Sequence, residues 1–118
     1  MEQCLTIEND NITYHFDKCI QCLQDGRGDD LSAHVMTSLN ELQQYDNINV
    51  IWYMNELKLT DVQYILFICK LCVDMQQKFP RSNKTTTIHV HNLTLVTKYI
   101  FDTIQKVIVL PNIKFSIH

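Results

Sequence analysis

The chain has 118 residues, 46% of them hydrophobic, and a formal net charge of −3. That length suits one domain built from one sheet and a few helices, with little volume left for an internal ligand cavity. Acids outnumber bases and arginine occurs only at Arg27 and Arg81, which disfavours nucleic-acid binding by counterion displacement.

The first element reads as a β-hairpin. Leu5 and Ile7 alternate with Thr6 and Glu8, Asn9-Asp10-Asn11 supplies turn chemistry, and Ile12, Tyr14 and Phe16 then alternate with Thr13 and His15. Residues 18–23 fit helix or strand. The run Asp25-Gly26-Arg27-Gly28-Asp29-Asp30 holds both glycines of the chain and reads as loop, its Arg-Gly-Asp triplet being a polar turn. From Asp30 the period becomes helical, with Leu31, Val35, Leu39 and Leu42 inward and Asp29 or Asp30 as the cap. Tyr45-Asp46-Asn47 ends that helix. Val50-Ile51-Trp52-Tyr53-Met54 is unbroken apolar sequence, the pattern of a central parallel strand covered on both faces.

A long helix follows, capped by Thr60 or Asp61, with Val62, Ile65, Leu66, Cys69, Cys72 and Val73 as its core stripe up to Phe79-Pro80. Residues 86–91 predict a strand. Asn92 is then expected to cap a helix whose Leu93, Val96, Ile100, Ile104 and Val107 face inward. Ile113, Phe115 and Ile117 alternate with Lys114 and Ser116 as an edge strand does, and a hairpin of 107–110 with 113–117 competes for this end. The sum is an α/β domain spanning 1–118: an N-terminal hairpin, then alternating helix–strand units on a mostly parallel sheet. Partners of such sheets meet the loops after the strands' carboxyl ends, here 55–60 and 91–92.

No run reaches the roughly 18 apolar residues of a membrane helix, and MEQCLTIEND carries neither a basic nor an apolar leader. A cytoplasmic setting is therefore expected, with the five cysteines reduced and the sequons at Asn11, Asn83 and Asn92 unglycosylated. The excess of Ile, Asn and Lys over one Ala and two Gly points to AT-biased coding, as in a virus or an AT-rich microbe.

Chemistry-bearing patterns are few. Cys19-x-x-Cys22 and Cys69-x-x-Cys72 have the spacing of a four-thiolate zinc site. The second pair falls mid-helix on the apolar stripe, however, where buried thiols acting as small hydrophobes fit better. His89 and His91 share one strand face and would need a third ligand to hold a metal; hydrogen-bonded rim histidines are the simpler reading. No nucleophile elbow, phosphate-binding glycine loop or HExxH helix is present, and a lone Asp61 or Glu56 reads as a cap rather than an acid–base group. No catalytic residue and no cofactor is expected. One surface stands out: Tyr64, Phe67 and Leu71 recur on a second face of the long helix. A helix apolar beyond one stripe is either sandwiched in its fold or covered by a partner.

The element order, over nearly the whole chain, resembles the STAS domain of bacterial anti-sigma-factor antagonists and sulfate-transporter tails. NVIWYMNELKLTDVQYI looks like the STAS strand, loop and helix start, with Asp61 in the place of the Asp before the family's phosphorylated serine. Val62 and Gln63 follow, and Tyr64 stands where glycine is usual, so the phosphoacceptor is missing. ELKLTDVQYILFICKLCVDMQQKFPRSNKTTTIHVHN and the terminal NIKFSI also resemble the related CRAL-TRIO lipid-binding domain, which is longer and has gate elements absent here. With the fold that this resemblance implies, the second face of the long helix leads to the expectation of a non-catalytic module that binds a protein partner or itself through Tyr64, Phe67 and Leu71 with Asn55 and Glu56 of the nearby loop. A lipid-binding domain and a zinc-binding structural protein are the alternatives.

Overall fold

A computed structural model describes residues 4–54, 57–78, 85–107 and 113–118. Among these the chain forms a five-stranded sheet and four α-helices. Strands β1 (Leu5–Glu8) and β2 (Asn11–His15) pair antiparallel, as the alternation of Leu5, Ile12 and Tyr14 with polar residues requires. Asn9 makes the turn with a φ of 55°, a left-handed conformation that asparagine tolerates better than most residues. Helices α1 (Phe16–Gln24) and α2 (Gly28–Leu42) precede β3 (Asn47–Tyr53). A single 3-10 turn at Leu59–Asp61 leads into α3 (Val62–Lys78). Then come β4 (Thr85–His91), α4 (Leu95–Val107) and β5 (Ile113–Ile117).

The sheet is mixed, with one antiparallel pair and β2, β3, β4 and β5 parallel in that spatial order. Each crossover therefore steps one strand in the same direction. Right-handed crossovers that all step the same way put every helix on the same face. Burial agrees: Ile12, Tyr14, Ile48, Val50, Trp52, Ile88 and Val90 are buried, while their chain neighbours on β2, β3 and β4 are half-buried or exposed. The core lies between sheet and helices, where Trp52 packs on Phe16 and Phe115, and Phe101 on Phe115.

Several expectations are corrected at this level. The apolar run of β3 is not covered by helices on both sides: Ile48, Val50 and Trp52 face them, whereas Ile51 and Tyr53 lie on the opposite side and are half-buried. Phe16 is not a strand residue. It begins α1 and is fully buried together with Cys19. Asp29 and Asp30 do not cap α2, which starts at Gly28; they sit in its first turn, where carboxylates complement the helix dipole. Asp61 accepts a hydrogen bond from the Lys58 backbone N–H at 3.0 Å, closing the 3-10 turn before α3. The cap of α4 is Thr94, whose hydroxyl accepts the Thr97 N–H, while Asn92 turns the chain two residues earlier with a φ of 62°. At the end of the chain, Val107 belongs to α4 and β5 pairs with β4. The side chains of Val73, Val96, Ile104 and Val107 lie outside the described residues, as do Phe79, Pro80 and 108–110.

Candidate functional site

Two surfaces carry more than the fold demands. The first is the outer ridge of α3 and α4, which pack side by side. Ile65, Ile68, Cys69, Leu71 and Cys72 are buried against the core. That leaves Leu59, Leu66 and Phe67 at solvent, 60%, 41% and 46% exposed. On α4, Thr97, Ile100 and Phe101 are buried, whereas Leu95 and Tyr99, four residues apart and so on one side, are 90% and 71% exposed.

The residues expected to bind a partner are thus dispersed. Phe67 is on the ridge, Tyr64 is half-buried against the core, and Leu71 is buried within it. Asn55 and Glu56 lie outside the described residues. Leu66, assigned inward from the sequence, is the residue beside Phe67 at the surface. Leu59 was missed because a lone apolar residue in a turn gives no periodic signal, and Leu95 and Tyr99 because the inward stripe of the same helix masks a second pair at helical spacing.

The second surface is the open face of the sheet, opposite the helices. Register brings His15, Tyr53 and His91 side by side across β2, β3 and β4. His118 extends the row, its backbone N–H donating to the Val90 carbonyl at 2.9 Å. The rings form a continuous stack: His15 to Tyr53 at 5.6 Å, Tyr53 to His91 at 5.1 Å, and His91 to His118 at 4.6 Å with 9° between planes. His89 lies against His118 at 5.2 Å between centroids, with its Nδ1 3.0 Å from His118 Nε2. Its Nε2 is 3.1 Å from Asn49 Oδ1, and Ser116 Oγ is 3.3 Å from His118 Nε2. His91 is held below the usual imidazole range, first by partial burial and then by the charges that His118 and His89 would carry. The sequence offered His89 and His91 as a pair; His15 and His118 join them only through strand register.

The cysteines fall into two groups, Cys4, Cys19 and Cys22 near the start of α1 and Cys69 and Cys72 on α3. All five are free and buried. The Cys22 thiol donates to the Arg27 carbonyl at 3.4 Å. Burial pushes the Cys69 thiol well up and that of Cys72 to about 12, so neither is a ready thiolate. Among the described residues no group of three His, Cys, Asp or Glu side chains is placed to hold a metal ion. Nor does any described helix have the length and apolarity to cross a membrane. No family model, curated protein or solved structure matches the chain.

Proposed function

We propose that this chain is a non-catalytic protein-interaction module with a STAS-like arrangement, lacking that family's phosphoacceptor, and that it binds its partner through the α3–α4 ridge. The partner is another protein or a second copy of the chain. The observation that carries the reading is the exposure of Leu66, Phe67, Leu95 and Tyr99 on two neighbouring helices whose inner sides already supply the core, with Leu59 exposed in the turn before α3. Large apolar side chains gathered on one surface are unfavourable in water and mark an interface. The hairpin followed by strands alternating with helices supports the STAS-like reading. The engagement of Asp61 with the Lys58 amide, followed by Val62 and Gln63, supports a structural role for the segment where the family is phosphorylated.

The test is the double variant Leu66→Asp/Phe67→Asp. Far-UV circular dichroism is expected to match the wild type, because both side chains are at the surface. Assembly in light scattering, or capture of a partner from a source extract, is expected to fall at least tenfold, since a buried carboxylate without a counter-ion costs several kcal/mol at an interface. Unchanged assembly and unchanged capture would remove the ridge as the interface.

A further inference from the structure

Four of the chain's five histidines stand together on the open face of the sheet, at the carboxyl ends of β2 and β4 and just beyond β5. Their hydrogen bonds fix where the protons sit. A carboxamide oxygen only accepts, so His89 donates its Nε2–H to Asn49 Oδ1. A neutral His89 then presents the Nδ1 lone pair, and His118 Nε2–H donates into it at 3.0 Å. Donors and acceptors along Asn49–His89–His118 match when both rings are neutral. One further proton, on His118 Nδ1, leaves that bond in place; a second, on His89 or His91, sets positive rings against one another, His91 being stacked on the same His118 ring at 4.6 Å.

Among the described residues no carboxylate is ion-paired with these rings. Facing the cluster from β2 and β3 are His15 and Tyr53, and β5 contributes Lys114, itself a cation. Register puts Lys114 at one end of a row that runs through Thr87, Asn49 and Asn11 to Glu8, so the Glu8 carboxylate is at the opposite margin of the sheet. The helices are on the other side.

The strand held by this cluster is the edge of the parallel set. Among the described residues β5, five residues long, pairs only with β4, whereas β4 pairs on both sides. Beyond its ladder, the described anchors of β5 are Phe115, packed on Trp52 and Phe101, and the contacts of His118 with His89 and His91.

We propose that His89, His91 and His118 form a pH-operated latch on β5: neutral, they hold the end of β5 against β4, and protonated, they release it and uncover Phe115 and Trp52. This is independent of the helix ridge. The direction follows from proton linkage. Because the folded state holds His91 below its ordinary value, the released state binds the proton more readily. The latch is therefore fully closed above about pH 6.5, the ordinary imidazole value, and opens as pH falls through and below it. One unit of pKa difference at one ring corresponds to a tenfold change in the opening equilibrium.

Trp52, the single tryptophan, touches Phe115 and reports the release. Between pH 7.5 and 5.0 its emission is expected to shift to the red. Over the same interval, amide exchange at 114–117, corrected for the intrinsic rate, is expected to rise at least tenfold while β2 and β3 stay protected. Replacing His34, the histidine on α2, by Gln should preserve the transition, and His91→Gln/His118→Gln should abolish it. Should the double variant fail to fold at pH 7.5, the histidine ring resonances of the wild type decide. Those of His91 are expected to titrate in the same interval in which the β5 amides open. Flat protection of β5 down to pH 5.0, ring titration without β5 opening, a transition surviving in the folded double variant, or opening of β5 in step with β2 and β3 would each overturn the latch.

Discussion

Trp52 and Tyr53 are neighbours in β3, yet one lies under the helices and the other on the open face. On the covered face, side chains meet in three dimensions. Trp52 touches Phe16 from α1 and Phe115 from β5, and its burial removes a large apolar surface from water. On the open face, among the described residues, side chains meet their neighbours in the plane of the sheet. Tyr53 is covered by the rings of His15 and His91 on either side, and its upper edge is wet. The first face is therefore governed by volume and the second by ring-to-ring contact and protonation. That difference explains how an apolar strand tolerates one uncovered side: a row of stacked rings supplies the cover that a second helix layer would otherwise give.

The largest expected effect separates the two faces directly. Trp52→Ala should cost about 3–5 kcal/mol, because the surrounding aromatic side chains can only partly fill the space. Ile51→Ala, one residue earlier on the open face, should cost about 1 kcal/mol from lost β-propensity and partial burial. Urea denaturation followed by circular dichroism checks both, and equal costs would mean that the open face is covered as deeply as the other.

A second pair makes the same comparison on α3. Leu71 is 8% exposed and within the core, so Leu71→Ala should cost about 2–4 kcal/mol. Leu66→Ala, on the ridge, should change the stability of the isolated chain by no more than about 0.5 kcal/mol. A Leu66 effect that grows with protein concentration would place that side chain in a contact between copies, because association stabilises by mass action.

These two helix positions also show where the sequence speaks and where it is mute. The hairpin was readable because period-2 alternation flanks an Asn/Asp turn, and α2 because Leu31, Val35, Leu39 and Leu42 leave one unambiguous stripe. In α3 apolar residues occupy Val62, Tyr64, Ile65, Leu66, Phe67, Ile68, Cys69, Leu71 and Cys72, so the helix is apolar nearly all round and its rotation is undetermined. Only packing against neighbouring elements settles that Leu71 turns in and Leu66 out. Helix α1 was hidden for another reason: Phe16 continues the alternation of Ile12 and Tyr14, although the backbone changes at that residue. The open-face cluster draws on positions 15, 53, 89, 91 and 118, and no local pattern links residues so far apart. The sequence supplied its histidines, and strand register assembled them.

A more local effect is expected at the start of α4, which delivers the chain from the open-face row into the helix layer. Asn92 follows His91 and adopts a positive φ, which reverses the chain but leaves the first turn of the helix without a side-chain acceptor from that position. Thr94 and Thr97 provide it reciprocally. The Thr94 hydroxyl accepts the Thr97 N–H at 3.2 Å, and the Thr97 hydroxyl accepts the Thr94 N–H at 2.6 Å. This is the logic of a capping box with a second threonine in place of the usual Glu or Gln, and it suits the site because Thr97 is buried, where a carboxylate would be costly. Thr94→Ala should therefore cost about 1 kcal/mol. Thr97→Val keeps the shape but leaves the Thr94 N–H unpaired, and should cost about as much as the loss of one hydrogen bond, about 1 kcal/mol. Because each substitution breaks the same reciprocal pair, the double variant should cost less than the sum of the two. Strict additivity in denaturation midpoints would mean that the two hydroxyls act independently and that the first turn of α4 is held by its packing alone.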